Sequence, residues 1–311
     1  MTRPPRIAVT LGDPRGIGPE ITARALAETA GADVVVIGAD EQVAALPAAA
    51  RVAVGSWREG PGTPAGLPPA EARSRAMRAG AIAGRAVETA ARMALSHEVD
   101  AIVTAPVEKH ALHLAGHAWP GHTEWLAHLA GEVPVAMMLA ADSLRVVLVT
   151  THVALRDVPA LLTTPRVVSA GEITRRGLQE WFGIAEPRLA LCALNPHAGE
   201  QGLFGDEEDR ILGPAARALG AAGPLPADTV FVRALAGEFD AVLAPYHDVG
   251  MTAIKVAAFG RGVNVTLGLP FPRTSPDHGT ALDIAGTGRA DPSSMIEAVR
   301  LAVRLGSGAR G

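Results

Sequence analysis

Short β-branched runs alternate along this chain with longer stretches rich in alanine, leucine and arginine, and that rhythm constrains the fold more than any other feature. Apolar runs at 6–11, 33–38, 100–104, 144–151, 188–194, 240–244 and 262–267 read as strands. Several are continuously apolar, as strands covered on both faces are. Between them, 19–30, 70–96, 123–130, 206–219 and 292–305 read as helices. Pro19 followed by Glu20 suits a first turn, with a preset φ and an acid near the positive end of the helix dipole. Such alternation predicts an α/β fold built on a mainly parallel sheet. The Gly/Pro-rich stretch 60–69 reads as a surface loop. No repeat or composition break marks a clean domain boundary.

With 311 residues, 48% of them hydrophobic, the chain can bury a large core. No uncharged apolar run reaches the roughly 18 residues of a membrane span. The start, MTRPPRIAVTLGDP, lacks the apolar stretch of a signal peptide. A single cysteine, Cys192, excludes an internal disulfide and fits a reducing compartment. The net charge of -4, with no basic run, argues against nucleic acid as a partner. A soluble cytoplasmic protein is therefore expected. Arginine is the default cation: lysine occurs only as Lys109 and Lys255, asparagine only as Asn195 and Asn264, and tyrosine only as Tyr246. Ammonium and guanidinium differ in size and hydration, so the exceptions are candidates for positions where the substitute does not serve, with chance survival as the alternative for each.

Three histidines share one context. His152, His197 and His247 each follow an apolar run, LRVVLVTT, RLALCALNP and DAVLAPY respectively. Carboxyl ends of strands form the ligand crevice of open α/β sheets, so the three are expected to converge there. Neutral imidazoles suit Zn, Co, Fe or Ni and leave positions open for a substrate. Their spacings of 45 and 50 residues match no local metal motif, and a packing role is the alternative for each. Asp248 is either a further ligand or a carboxylate that orients His247.

A second group suits an anion. Thr123 stands at the start of the 123–130 helix, where its hydroxyl could cap the helix or hold an anion. Lys255 sits in the apolar run AIKVAAF, where burial is costly without a partner. Asn264 follows in the same region, and Arg273 has a fork suited to phosphate or carboxylate unless it is a plain surface residue. The turn GDPRGIGPE could cradle phosphate or serve only as a tight strand-to-helix turn. It is neither G-x-G-x-x-G nor a Walker A loop, and no G-x-S-x-G hydrolase elbow occurs.

Taken together, TLGDPRGIGPEI, TAPVEKHAL, PGHTEWLA, TTHVALRDV, LNPHAGEQGLFGDEE, GPLPADTVF, PYHDVGMTAIK and GRGVNVTLGLPFPRTSPDHGTALDIAGTG resemble, in order and over nearly the whole chain, the PdxA family of 4-hydroxythreonine-4-phosphate dehydrogenases. The resemblance implies an α/β/α sandwich of the isocitrate/isopropylmalate dehydrogenase type with two discontinuous subdomains. These would be about 1–125 plus 265–311, and a dimerising subdomain of about 126–264, with the active-site cleft between them. It implies a homodimer that shares its metal site across the interface, with His152, His197 and His247 as ligands of Zn, Mg or Co. His122, Thr123, Lys255, Asn264 and Arg273 match substrate-binding positions; Lys255, Asp248 and Asp228 match catalytic or supporting ones. His278, Gly279, Thr280, Ala281 and Asp283 fall in a segment similar to the superfamily's loop for NAD or NADP, which accounts for the missing Rossmann signature. Lys109, Asn195 and Tyr246 become supports of the metal cleft.

The implied reaction is NAD-dependent oxidation of 4-phosphohydroxy-L-threonine to 2-amino-3-oxo-4-phosphooxybutanoate, which decarboxylates to 3-amino-2-oxopropyl phosphate, a step toward pyridoxal phosphate. A same-family alternative acts on D-threonate or D-erythronate 4-phosphate. GPLPADTVF and GRGVN resemble the first branch, LHLAGH and GLFGDEE also the second, and PGHTE argues against a third branch of the family, which acts on a dihydrodiol dicarboxylate. One departure is Val249, where the family usually has glutamine. From other classes, a metal-dependent phosphate-ester hydrolase would use the same residue types, and a catalytically dead binding protein would not need them intact.

Overall fold

A computed structural model describes residues 3–64, 66–258 and 260–308; Ala65, inside the expected 60–69 loop, lies outside them. The strands among the described residues are β1 (Arg6–Thr10), β2 (Asp33–Gly38), β3 (Ala50–Ala53), β4 (Ala101–Thr104), β5 (Ala136–Ala141), β6 (Leu144–Leu148), β7 (Leu189–Cys192), β8 (Ala222–Leu225), β9 (Ala241–Ala244), β10 (Val263–Leu267) and β11 (Arg273–Pro276). The chain divides into two compact units, residues 1–133 with 269–311, and residues 134–268.

In the first unit the strand order is β3-β2-β1-β4-β11, and every pair is parallel. Ile7 in β1 sits between Val34 and Ala101, and all four residues of β4 are buried. These are the continuously apolar strands that a sheet covered on both faces requires. β3 alternates half-buried and exposed residues, as an edge strand does. The long helix Pro69–Leu95 packs on β1, β2 and β4 through alanines, among them Ala79, Ala83, Ala86 and Ala90. Its Gly80 meets the next helix, Lys109–Leu114, so closely that an added β-carbon would lie 2.0 Å from the Ala111 carbonyl oxygen. The helix Ser293–Gly308 packs on β1, β4 and β11.

In the second unit the order is β10-β5-β6-β9-β7-β8. The β10–β5 and β5–β6 pairs are antiparallel and the rest parallel. Seven of the nine described pairs are parallel, so the expected mainly parallel sheet holds, and the change to antiparallel pairing is confined to this unit. The change comes from the β5–β6 hairpin, whose short turn places Asp142 at φ 48°. The helix His247–Ala258 turns Gly250, Ile254 and Ala258 into a core shared with Val146, Val242 and Phe231. The spacing of four puts those residues on one face. Val249 lies against the same core, so an apolar side chain fits where the family pattern has glutamine. Lys255 is exposed on this helix, which corrects the expectation of a costly lysine buried in a strand-rich segment. The fold is α/β, a mixed sheet with flanking helices. Among the described residues no helix is long and apolar enough to cross a membrane.

Candidate functional site

In the second unit the three histidines follow β6, β7 and β9, neighbours in the order β6-β9-β7. The rings of His152 and His247 lie 5.5 Å apart. The loops that carry them are tied by Thr150, whose buried hydroxyl donates to the Pro245 carbonyl at 2.8 Å. His247 Nδ1 and Asp248 Oδ1 are 2.7 Å apart. A carboxylate only accepts, so Nδ1 carries the proton and the Nε2 lone pair remains for a metal. Asp248 stands where an orienting carboxylate would. The ring of His197 lies 6.3 Å from that of Phe204. Among the described residues no group of three His, Cys, Asp or Glu side chains could hold a metal ion. His152, His197 and His247, expected to converge, thus form no such group among the described residues of the single chain. The donors are of the right chemical kind for a divalent metal.

The reason for His197's position is its backbone. His197, Ala198, Gly199, Glu200 and Gln201 all have positive φ, from 42° to 82°, one turn of left-handed helix. Each L residue pays about 1–2 kcal/mol for this conformation. Strain of this kind persists only where the surroundings over-determine it. Two backbone bonds close the segment, Leu203 N–H to the Glu200 carbonyl and Phe204 N–H to that of Gly199, both at 3.2 Å.

Asn264, on β10, buries its Oδ1 without a hydrogen-bond partner, an orphaned acceptor that a ligand N–H or O–H would satisfy. Tyr246 is half-buried, and burial raises its hydroxyl pKa. Asp228 is exposed in the first turn of the helix Ala227–Leu235.

In the first unit a cationic pocket forms around Arg273, which is 2% exposed. It stands on β11 beside β4, where Nη2 and Nε donate to Thr104 Oγ1 at 2.6 and 3.1 Å. Burial pulls its pKa down to about 10, opposed by the charge of Glu124, so it stays a cation at neutral pH. His122 is half-buried as a residue, but its Nε2 is out of solvent and unpartnered. Burial first, then the charges of Arg273 and Lys109, lowers its pKa to about 3. A fixed cation beside a neutral, unpartnered imidazole suits a phosphate. Thr123 is not the helix cap: the helix His122–Leu129 starts one residue earlier, with Gly121 at the cap. Thr104 and Lys109 join this pocket without having been singled out as anion ligands in the sequence. Their only signal was the motif TAPVEK, since threonine is unremarkable and its partner Arg273 is distant in the chain.

The GDPRGIGPE turn is structural. Asp13 N–H donates to the Pro106 carbonyl, Arg15 N–H to Asp13 Oδ1, Gly16 N–H to the Asp13 carbonyl and Ile17 N–H to the Thr280 carbonyl, all at 3.0 Å. With those N–H groups engaged, it is not a phosphate cradle. Instead it docks the 277–286 segment, which Gly286 N–H reinforces through Glu20 Oε2 at 2.9 Å. In that segment His278 Nδ1 contacts the Gly279 carbonyl at 3.1 Å, while its Nε2 is buried and unpartnered. Gly279 opens onto free space, Ala281 has φ 42° and Asp283 is exposed. An orphaned nitrogen beside an open glycine fits a polar cofactor. Nearby, a cavity of about 400 Å³ is lined by Arg15, Thr63, Arg73, Glu108, His110 and Leu282.

The comparisons with known proteins agree on one family. The chain is 46% identical over 322 residues to the D-threonate 4-phosphate dehydrogenase of Salmonella typhimurium, covering 96% of this chain and 98% of that one. It is equally 46% identical over 327 residues to the 4-hydroxythreonine-4-phosphate dehydrogenase of Geobacter metallireducens, with 97% and 95% covered. The crystal structure of 4-hydroxythreonine-4-phosphate dehydrogenase from Klebsiella pneumoniae superposes with a TM-score of 0.82 at 43% identity, covering 98% of this chain and 99% of that one. A family model described as pyridoxal phosphate biosynthetic protein PdxA matches residues 26–302, and the chain belongs to the PdxA family.

Proposed function

We propose that this protein is a dehydrogenase that oxidises 4-phosphohydroxy-L-threonine to 2-amino-3-oxo-4-phosphooxybutanoate, a β-keto acid that then loses CO₂ to give 3-amino-2-oxopropyl phosphate. One observation carries the reading: the buried Arg273 guanidinium, held by Thr104, beside the neutral His122 with its orphaned Nε2. When bound, a divalent cation (Zn, Mg or Co) and NAD or NADP would supply positive charge for the substrate hydroxyl and a hydride acceptor. His152, His197 and His247 would hold the cation, with one of the three coming from a second copy in a homodimer. His278, Gly279, Thr280, Ala281 and Asp283 would hold the nicotinamide cofactor.

The chain's own residues then divide the substrate among them. Arg273 forks two phosphate oxygens, and His122 and Thr123 donate further hydrogen bonds to the same group. Asn264 Oδ1 accepts from the substituent at C2. Lys255, an exposed ammonium, sets its charge against the substrate carboxylate. Asp248 keeps His247 in the tautomer with Nε2 free, and Asp228 is a supporting residue. A second reading, D-threonate or D-erythronate 4-phosphate as substrate, differs by a hydroxyl in place of the amino group at C2. The 46% identity to a D-threonate 4-phosphate dehydrogenase, matched by 46% to a 4-hydroxythreonine-4-phosphate dehydrogenase, keeps it in play.

The deciding experiment follows NADH formation with each phosphorylated acid, with and without a chelator. The expected result is the highest kcat/KM with 4-phosphohydroxy-L-threonine, loss of turnover on chelation and recovery with Zn, Co or Mg. Arg273→Lys should raise KM roughly 10- to 100-fold, as loss of a charge-assisted hydrogen bond implies. Release of inorganic phosphate without NADH from any substrate would establish the hydrolase instead.

A further inference from the structure

The left-handed turn at 197–201 has little in its own sequence to favour it apart from Gly199. What brackets it is a buried carboxylate, Glu208, 4% exposed. On the upstream side, Glu208 Oε1 accepts the Leu194 and Asn195 N–H groups, each at 2.8 Å. Its Oε2 accepts Asn195 Nδ2 at 2.9 Å, and the same amide also donates to Glu207 Oε2 at 2.7 Å. On the downstream side, a β-carbon at Gly199 would lie 3.0 Å from Glu208 Oε2. The carboxylate therefore bonds the chain two residues before His197 and occupies the space that a side chain would need two residues after it. Glu208 also opens a π-helical turn, Glu208–Leu212, the kind of widened turn that recurs at functional sites.

These bonds come from neutral N–H donors, and a buried carboxylate is a costly way to make such contacts unless geometry is what it secures. We propose that Glu208 is a positioning residue for His197: its carboxylate locks the left-handed turn and thereby fixes the direction of the imidazole. The proposal rests on the reading that His197 is a metal ligand. Loss of a group that orients a ligand typically costs 10- to 100-fold in metal affinity.

The test uses the full-length Glu208→Gln, Asn195→Ala and His197→Ala proteins, titrated with cobalt(II) in the absence of substrate and nicotinamide. Cobalt affinity, the visible cobalt spectrum, amide exchange over 194–205 and the unfolding temperature are recorded together. Glu208→Gln keeps the shape and one acceptor but turns a donor toward the Asn195 amide. It should bind cobalt roughly 10- to 100-fold more weakly, with an altered visible band and faster exchange across the turn, while still unfolding cooperatively. Asn195→Ala should move the same readouts in the same direction, and it carries the test should Glu208→Gln fail to fold. Wild-type cobalt affinity and spectrum in the folded variants, with affinity lost in His197→Ala, would overturn the positioning role alone. Wild-type affinity in His197→Ala would overturn the ligand reading on which it stands.

Discussion

His122 is an imidazole that refuses a proton because burial strips it of water and two cations stand beside it. Its folded pKa of about 3 lies far below the ordinary 6.5. Between those values the unfolded chain takes up a proton that the folded chain does not, so stability rises with pH there and falls as the solution is acidified. Above the ordinary value the contribution no longer changes. His122→Gln removes this linkage, and urea unfolding at pH 6.5 and pH 4.5 should show a smaller acid loss than the wild type. An identical loss in both proteins would mean that His122 titrates normally. The rarest residues proved informative at this scale: Asn264 holds an orphaned acceptor, and Asn195 lies in the Glu208 network. Lys255 lies in an apolar run that forms a helix, with Gly250, Ile254 and Ala258 on the buried face and Lys255 exposed. Thr104, Thr150 and Glu208 gave no signal of their own. Their roles depend on partners that only the topology supplies, as with Thr104 and Arg273, 169 positions apart. Cys192 is inert by contrast, its thiol pushed up to about 12 by burial, with Glu208 adding to the effect.

Elements were legible where one period ruled them. The continuously apolar strands β1, β2, β4, β7 and β9 fall inside the expected runs because both faces of each are covered. β5 was missed because AMMLAA is made of good helix formers, and its pairing with β6 and β10 overrides that propensity. β8 contains glycine and proline, tolerable only because it is the last strand of its sheet. The helix Thr164–Glu180 carries its own start signals: Thr163 caps it, accepting from Arg166 N–H at 3.4 Å, and a proline sits in its first turn. The expected 206–219 helix is real but begins with the π turn that holds Glu208. Helix contacts also yield a prediction. Gly80 lets the helix Pro69–Leu95 touch the backbone of the helix that carries Lys109, with no room for a methyl group. Gly80→Ala must part the two, costing about 1–3 kcal/mol in urea unfolding. It should also raise KM for the phosphorylated substrate, because Lys109 moves away from the pocket. Unchanged stability would show that the helices separate freely.

For the molecule as a whole, the decisive fact is that one chain does not assemble three metal donors among its described residues. The loops bearing the histidines also expose apolar side chains: Val153 and Leu155 beside His152, Leu203 and Phe204 beyond His197, with Leu155 at 67% and Leu203 at 72%. Large apolar groups left in water beside the candidate ligands are accounted for if a second copy covers them, and under the proposed function that copy also supplies one of the three imidazoles. Placing a charge in that contact should separate the copies, because a carboxylate desolvated without a partner is strongly disfavoured. The double variant Leu155→Asp, Leu203→Asp leaves the three histidines and Glu208 untouched. Sedimentation should move it from twice the chain mass to 31.9 kDa, and its cobalt affinity should fall together with the dimer fraction. A second measurement separates assembly from local damage: cobalt binding by the wild type should weaken on dilution through the dimer dissociation range, since the site then forms only in the dimer. A monomeric variant with wild-type cobalt affinity would show that a single chain suffices, and the shared site would have to be abandoned.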